Sequence, residues 1–253
     1  MISLKNICLD YHKIYEMKGI IYYTDNQLIE PLFSAVQKHI LASGLPIVSA
    51  SLRPINFGQN VVVEGVRGYP TMVNQIIAAL ETSRADCVFF CEHDILYHKS
   101  YFDFVPIRDD TFYYNLNNWR WGYPSNKIIR YDGLTSLSQL CVNRELALRH
   151  YKKRRDKMIE LGLENFTKKG DPYLARAMGY EPGPRKNHYN EFMAEKSDVW
   201  NSEFPNIDIR HVGTFTFSKM RYENFRRPPT GWVETTIDKI DSWNLEELLP
   251  NNK

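Results

Sequence analysis

The chain has 253 residues, 43% hydrophobic and 25% charged, with a formal net charge of +2. That length suits one large domain or two small ones, and the composition is ordinary for a globular protein, which excludes a disordered or fibrous chain. A balance this near neutrality excludes a strong global field as the determinant of partner choice.

The N-terminal 18 residues mix Lys, Asp, His and Glu with short apolar pieces and lack the continuous apolar stretch of a signal peptide. No run approaches the ~20 apolar residues of a membrane span, so no transmembrane segment and a cytoplasmic setting are expected. Residues 18–23 then read as a first strand closed by Thr24-Asp25-Asn26. A helix follows over 31–41, with Leu32, Val36 and Ile40 on one face. Residues 45–51 read as a second strand and 61–63 as a short third one. Pro70 opens a helix through about Thr82, burying Met72, Val73, Ile76, Ile77 and Leu80.

The most informative stretch comes next: Asp86-Cys87-Val88-Phe89-Phe90-Cys91-Glu92-His93-Asp94. Its apolar, β-prone middle reads as a buried strand ending abruptly in two carboxylates at i, i+2. Strand alternation places positions 92 and 94 on one side. Strand, helix, strand, helix, strand implies a parallel sheet with right-handed crossovers. Ligands of such sheets bind beyond the carboxyl ends of the strands. Two acids there supply hard oxygens suited to Mg²⁺ or Mn²⁺, and a cation so held can hold a diphosphate. The bland alternative is a solvated acidic strand end.

The four cysteines form no CxxC pair. Cys87 and Cys91 lie about 13 Å apart on an extended strand, too far for a disulfide. Cysteine usage fits a reducing compartment.

The pattern changes after about residue 110. Residues 111–115 read as a strand. Trp119, Trp121 and Tyr123, interrupted by Gly122 and Pro124, read as a loop or strand edge, either an acceptor platform or core packing. A helix spans 143–161 with Asn143 as N-cap; it carries Lys152-Lys153-Arg154-Arg155, a solvated face or a contact for a polyanion. Asp171-Pro172 starts a short helix, and Glu181 sits in a loop fixed by Pro182 and Pro184. Residues 206–211 form a short strand ending in Arg210-His211. Arg210 either clamps phosphate or pairs with Asp208, and His211 either ligates a metal or is a satisfied surface group. One compact unit over 1–253 is expected, with a nucleotide-sugar half at about 18–110 and an acceptor half at about 111–249.

The Thr24-Asp25-Asn26 strand end, the strand ending in Glu92-His93-Asp94 and the late His211 together resemble the GT-A glycosyltransferases. The likeness spans about residues 18–221, with Glu-His-Asp where many members have Asp-x-Asp. It implies an α/β, Rossmann-related fold with a mainly parallel central sheet flanked by helices and an irregular acceptor-side C-terminal region. It also implies Mn²⁺ or Mg²⁺ on Asp94 and His211, with Glu92 contacting the ribose, or the metal through water. Thr24, Asp25 and Asn26 lie near the nucleoside of a nucleotide sugar, UDP-sugars favoured, and Arg210 near its phosphates. The acceptor is a glycan or, as in similar enzymes of bacterial viruses, a hydroxymethylated DNA base. Glu181, Asp171 and Asp132 are candidates for the base of an inverting transfer. The rival readings are a nucleotidyltransferase, a metal phosphohydrolase, or a carbohydrate- or nucleic-acid-binding module.

Overall fold

The computed structural model describes residues 17–27, 29–164, 196–214, 219–225 and 227–244. The first half alternates as expected: β1 (Lys18–Thr24), α1 (Leu32–Leu41), β2 (Ile47–Ser51), β3 (Gln59–Val62), α2 (Tyr69–Thr82) and β4 (Cys87–Glu92). After it come β5 (Ile95–Leu96), β6 (Thr111–Asn115), β7 (Asn118–Gly122), β8 (Lys127–Arg130), β9 (Leu140–Asn143), α3 (Arg144–Glu160), β10 (Lys196–Trp200), β11 (Asn206–Arg210) and β12 (Val233–Thr236).

Seven strands form the central sheet in the order β10-β6-β9-β4-β1-β2-β3. Its pairs are parallel except those of β9, which runs antiparallel to both β4 and β6. The fold is therefore α/β, with a mainly parallel central sheet flanked by helices. One sheet face packs on α2 and α3 through Val73, Ile76, Ile77, Leu80, Leu146 and Tyr151. The other packs on α1 through Leu32, Val36 and Ile40. Strands buried on both faces must be apolar throughout, which is why β1 and β4 read as continuous runs.

A second sheet of five strands, β12-β8-β7-β11-β5, occupies part of the region expected to be irregular. Trp121, Ile128, Ile207 and Ile209 from it join Tyr22 and Phe89 of the central sheet in one core. The segment 119–123, expected as a loop or strand edge, is largely the strand β7, held by parallel pairing to β11 and antiparallel pairing to β8. Period-2 alternation sorts its residues: tryptophans at 119 and 121 face the core, and Asn118 and Arg120 face away.

α3 is capped as expected, Leu146 N donating to Asn143 Oδ1 at 3.0 Å. Its basic run is not a free stripe. Lys152 pairs with Glu81 at 2.7 Å, Arg155 reaches Asp156 at 3.4 Å, and Arg154 is buried. Cys87, Cys91 and Cys141 are buried free thiols. No helix among the described residues is long and apolar enough to cross a membrane. The short helix expected at Asp171-Pro172 and the loop at Glu181 lie outside the described residues.

Candidate active site

β4 leaves the central sheet at Glu92, turns through His93 and Asp94, and enters the second sheet as β5. Asp94 O accepts from Ile209 N at 2.8 Å, which ties that turn to β11. His211 follows the last residue of β11. Ligand atoms of His93, Asp94 and His211 consequently lie within 4.8 Å of one another. Glu92, the last residue of β4, stands outside this trio because strand alternation stops there, at the turn.

Asp94 is 7% exposed, and among the described residues its Oδ1 has no hydrogen-bond partner. Tyr22 Oη, fully buried beneath the same strand ends, also has none. Burial first, then the Asp94 charge, raises the Tyr22 pKa well above its ordinary value. A buried carboxylate oxygen without a donor is costly unless a cation or a polar ligand meets it. Burial lowers the pKa of His211 in spite of Asp94. The neutral imidazole that results is the form that ligates a metal. Two imidazoles and a carboxylate on one small volume fit a divalent transition ion.

Glu92 is half-buried. Tyr23 Oη donates to its Oε1 at 2.5 Å, and its backbone N donates to Tyr97 Oη at 2.9 Å. Burial first, and then the Asp94 charge, pushes its pKa up to about 8, so the carboxyl is mostly protonated at neutral pH. A neutral acid is a poor direct metal ligand and a good hydrogen-bond donor.

The β1 end is largely committed to holding loops. Asn26, at φ 58°, accepts from Leu52 N and Arg53 N at 2.7 and 3.0 Å. Thr24 is buried, its hydroxyl accepting from Asn26 N and its carbonyl from Gln75 Nε2. Asp25 accepts from Gln27 N at 2.9 Å, pairs with Arg67 Nε at 2.5 Å and lies 3.8 Å from His93 Nε2. Arg67 also donates to Gly213 O at 2.7 Å, so it spans the site from β1 to the His211 loop. Sequence reasoning singled out neither His93 as a ligand nor Arg67. Arg67 carries no local signature, and only the fold brings residues 25, 67 and 213 together.

Arg210 points into a buried ion cluster. Its Nη2 lies 2.6 Å from Asp208 Oδ2, and Arg120 Nε lies 3.2 Å from the same oxygen. Strand pairing sets Arg120 directly beside Asp208, and Arg210 lies two residues on along the same face. Burial works against the Arg210 charge, yet the Asp208 and Asp94 carboxylates outweigh it and raise its pKa.

Of Trp119, Trp121 and Tyr123, only Trp121 is fully buried, and the other two are half-buried. Trp121 is 1% exposed with its Nε1 donating to Ser125 O at 2.6 Å, and Trp119 and Tyr123 pack against the same core. A second ring cluster, half-buried except for the exposed Tyr222, lies around Tyr131 and Trp232. Asp132 is exposed beside Gly231, at the far end of β8.

No family description and no curated protein matches this chain. Solved structures that resemble it include the bifunctional IspDF from Campylobacter jejuni, at 12% identity and a TM-score of 0.39, over 74% of this chain and 50% of that one. The apo-form of the glycosyltransferase GlyE from Streptococcus pneumoniae TIGR4 resembles it at 12% identity and a TM-score of 0.33, over 59% of this chain and 39% of that one. The chain thus spans half or less of the length of either structure.

Proposed function

We propose that this protein is a metal-dependent glycosyltransferase that uses a nucleotide-sugar donor. The observation that carries the reading is the trio His93, Asp94 and His211 at the carboxyl edge of a parallel sheet, with a buried, unpartnered Asp94 oxygen at its centre. When bound, a divalent cation supplies positive charge to a leaving nucleoside diphosphate. Asp94, His211 and His93 would hold it. The mixed nitrogen and oxygen set favours Mn²⁺ over Mg²⁺, because imidazole suits transition ions and Mg²⁺ prefers oxygen alone.

The chain's own residues do the remaining work. Arg67 presents a cation across the mouth of the site while Asp25 and Gly213 fix its direction. Glu92, held neutral, avoids repelling a diphosphate and offers a proton for hydrogen bonding to a donor oxygen. Asp25, charge-compensated by Arg67, offers carboxylate lone pairs on the nucleoside side, in keeping with recognition of ribose or base. UDP is the favoured nucleotide, and the acceptor is a hydroxyl of a glycan or of a modified nucleobase. A cytoplasmic setting and a single compact unit belong to the same reading.

Donor turnover tests it. The purified protein is incubated with UDP-, GDP- and CMP-sugars and Mn²⁺, with and without EDTA, and released nucleotide is quantified. Slow hydrolysis of one donor, abolished by EDTA and by Asp94→Asn, is expected. Pyrophosphate release from nucleoside triphosphates would instead assign nucleotidyl transfer, and full turnover by Asp94→Asn would remove the metal site from the chemistry.

A further inference from the structure

The face of the second sheet that turns away from the core leads from the metal trio to a group of rings. Arg210, in the field of Asp94, meets Asp208; Asp208 meets Arg120; and Arg120 Nη1 donates to Tyr131 Oη at 2.7 Å. Tyr131 stacks on Trp232 at 6.1 Å and 11° and meets Phe225 edge-on at 5.1 Å. Tyr222, 42% exposed, meets Trp232 edge-on at 5.6 Å.

Cations decorate these rings. Arg120 lies 5.5 Å over Tyr131, and Lys219 lies 5.0 Å over Phe225. Lys219, Arg221 and Arg227 are exposed. Residues 219–232 contain four basic residues, Lys219, Arg221, Arg226 and Arg227, against one acid, Glu223. A neutral glycan would need the rings without the cations. A bare polyanion would need the cations without the rings. Rings with interleaved cations match a ligand that carries both flat faces and a charged backbone.

We propose that this patch binds single-stranded nucleic acid, its bases stacking on the exposed ring of Tyr222, which Trp232 supports edge-on, and its phosphates meeting Arg221 and Arg227. The Arg120–Asp208–Arg210 cluster beneath the patch is buried and joins it to the edge that holds Asp94 without touching the bound strand. The bound strand's role as acceptor rests on the glycosyltransferase reading, whereas binding itself needs neither metal nor donor. On the basic run of α3, by contrast, Lys152 and Arg155 meet Glu81 and Asp156, Arg154 is buried, and of the four only Lys153 is exposed.

The test is fluorescence anisotropy of a labelled oligothymidylate of about 15 nucleotides, enough to cover a site of this kind, in EDTA. Affinity is expected to fall between about 50 and about 200 mM salt. Tyr222→Ala and Trp232→Ala should each weaken binding roughly 5- to 100-fold. Tyr222 is exposed enough that its loss leaves the fold intact if Trp232→Ala does not. Arg221→Gln combined with Arg227→Gln should flatten the salt slope by roughly 1.4, the share of two phosphate contacts on a single strand. Equal binding by an abasic oligomer, tighter binding by duplex, full affinity in Tyr222→Ala, or no binding at about 50 mM salt would each overturn the proposal. Asp94→Asn should bind the oligomer like wild type, so failure of the donor reading and failure of this one are separately visible.

Discussion

Replacing Asp208 by Ala gives the sharpest test of what holds the site's scaffold together. The carboxylate is 2% exposed and takes both guanidiniums, Arg210 at 2.6 Å and Arg120 at 3.2 Å. The arginines are themselves only 11% and 14% exposed, so neither regains full hydration when the partner goes. A hydrogen bond to a charged group contributes about 1.5–3 kcal/mol, and breaking a buried ion pair from one side costs about 3–5 kcal/mol. Arg120 keeps its bond to Tyr131, which argues for the lower part of that range, about 3–4 kcal/mol. For a chain of this size that lowers the melting temperature by roughly 6–16 °C. Asp208→Asn keeps an acceptor and loses only the charge, so it should fall between wild type and Asp208→Ala. The triple variant Arg120→Met, Asp208→Leu, Arg210→Met should recover most of the loss, because apolar side chains of similar volume replace such clusters at little net cost. Urea and thermal unfolding in EDTA measure all three. An Asp208→Ala protein that melts within about 2 °C of wild type, less than the shift of a single kcal/mol, would refute the reasoning.

Other predictions concern the site itself. The folded-state pKa of Glu92, about 8 against an ordinary 4.5, means that the Glu92 share of metal-free stability is fully present below about pH 4.5 and is lost as pH rises through 8. Such a shift corresponds to at most about 5 kcal/mol, a ceiling that solvent at a half-buried carboxyl lowers. Glu92→Gln should therefore gain on wild type in urea unfolding between pH 5 and pH 8.5, and a flat difference would rule out a protonated Glu92. A Cβ at Gly213 would sit 2.9 Å from His211 Cε1, so Gly213→Ala should displace the imidazole and weaken Mn²⁺ affinity by about 10-fold or more, read by titration calorimetry. Trp121→Ala should cost about 3–5 kcal/mol by leaving a cavity in the shared core.

The parallel half was legible because β1, β2 and β4 are buried on both faces and its helices are strongly amphipathic. Lys18–Thr24, Cys87–Glu92 and Tyr69–Thr82 carry enough apolar period to be read alone. β9 escaped notice because Leu140-Cys141-Val142 runs straight into the α3 cap, so four strand residues look like a helix lead-in. The second sheet was hidden by its short strands and by tryptophans on the inward side of a segment containing glycine and proline. At the site, Asp94 and His211 stood out as polar ends of strands, and the structure brings them together. His93 did not, because extending strand alternation past Glu92 gave its place to Glu92. No local pattern announces that Asp208 is shared by two arginines; the i, i+2 pairing with Arg210 was visible, but the contribution of Arg120 depends on which strands become neighbours.

The trio draws on both sheets: His93 and Asp94 belong to the turn where the chain quits the first, and His211 to the end of a strand in the second. An ion held there is a rivet through a seam, and whatever fastens the seam resists unfolding of both layers at once. Ligand at 100 times its dissociation constant adds about 2.7 kcal/mol to the folded state. The melting point thus becomes a gauge of site occupancy, able to rank cations on the intact chain before any substrate is in hand.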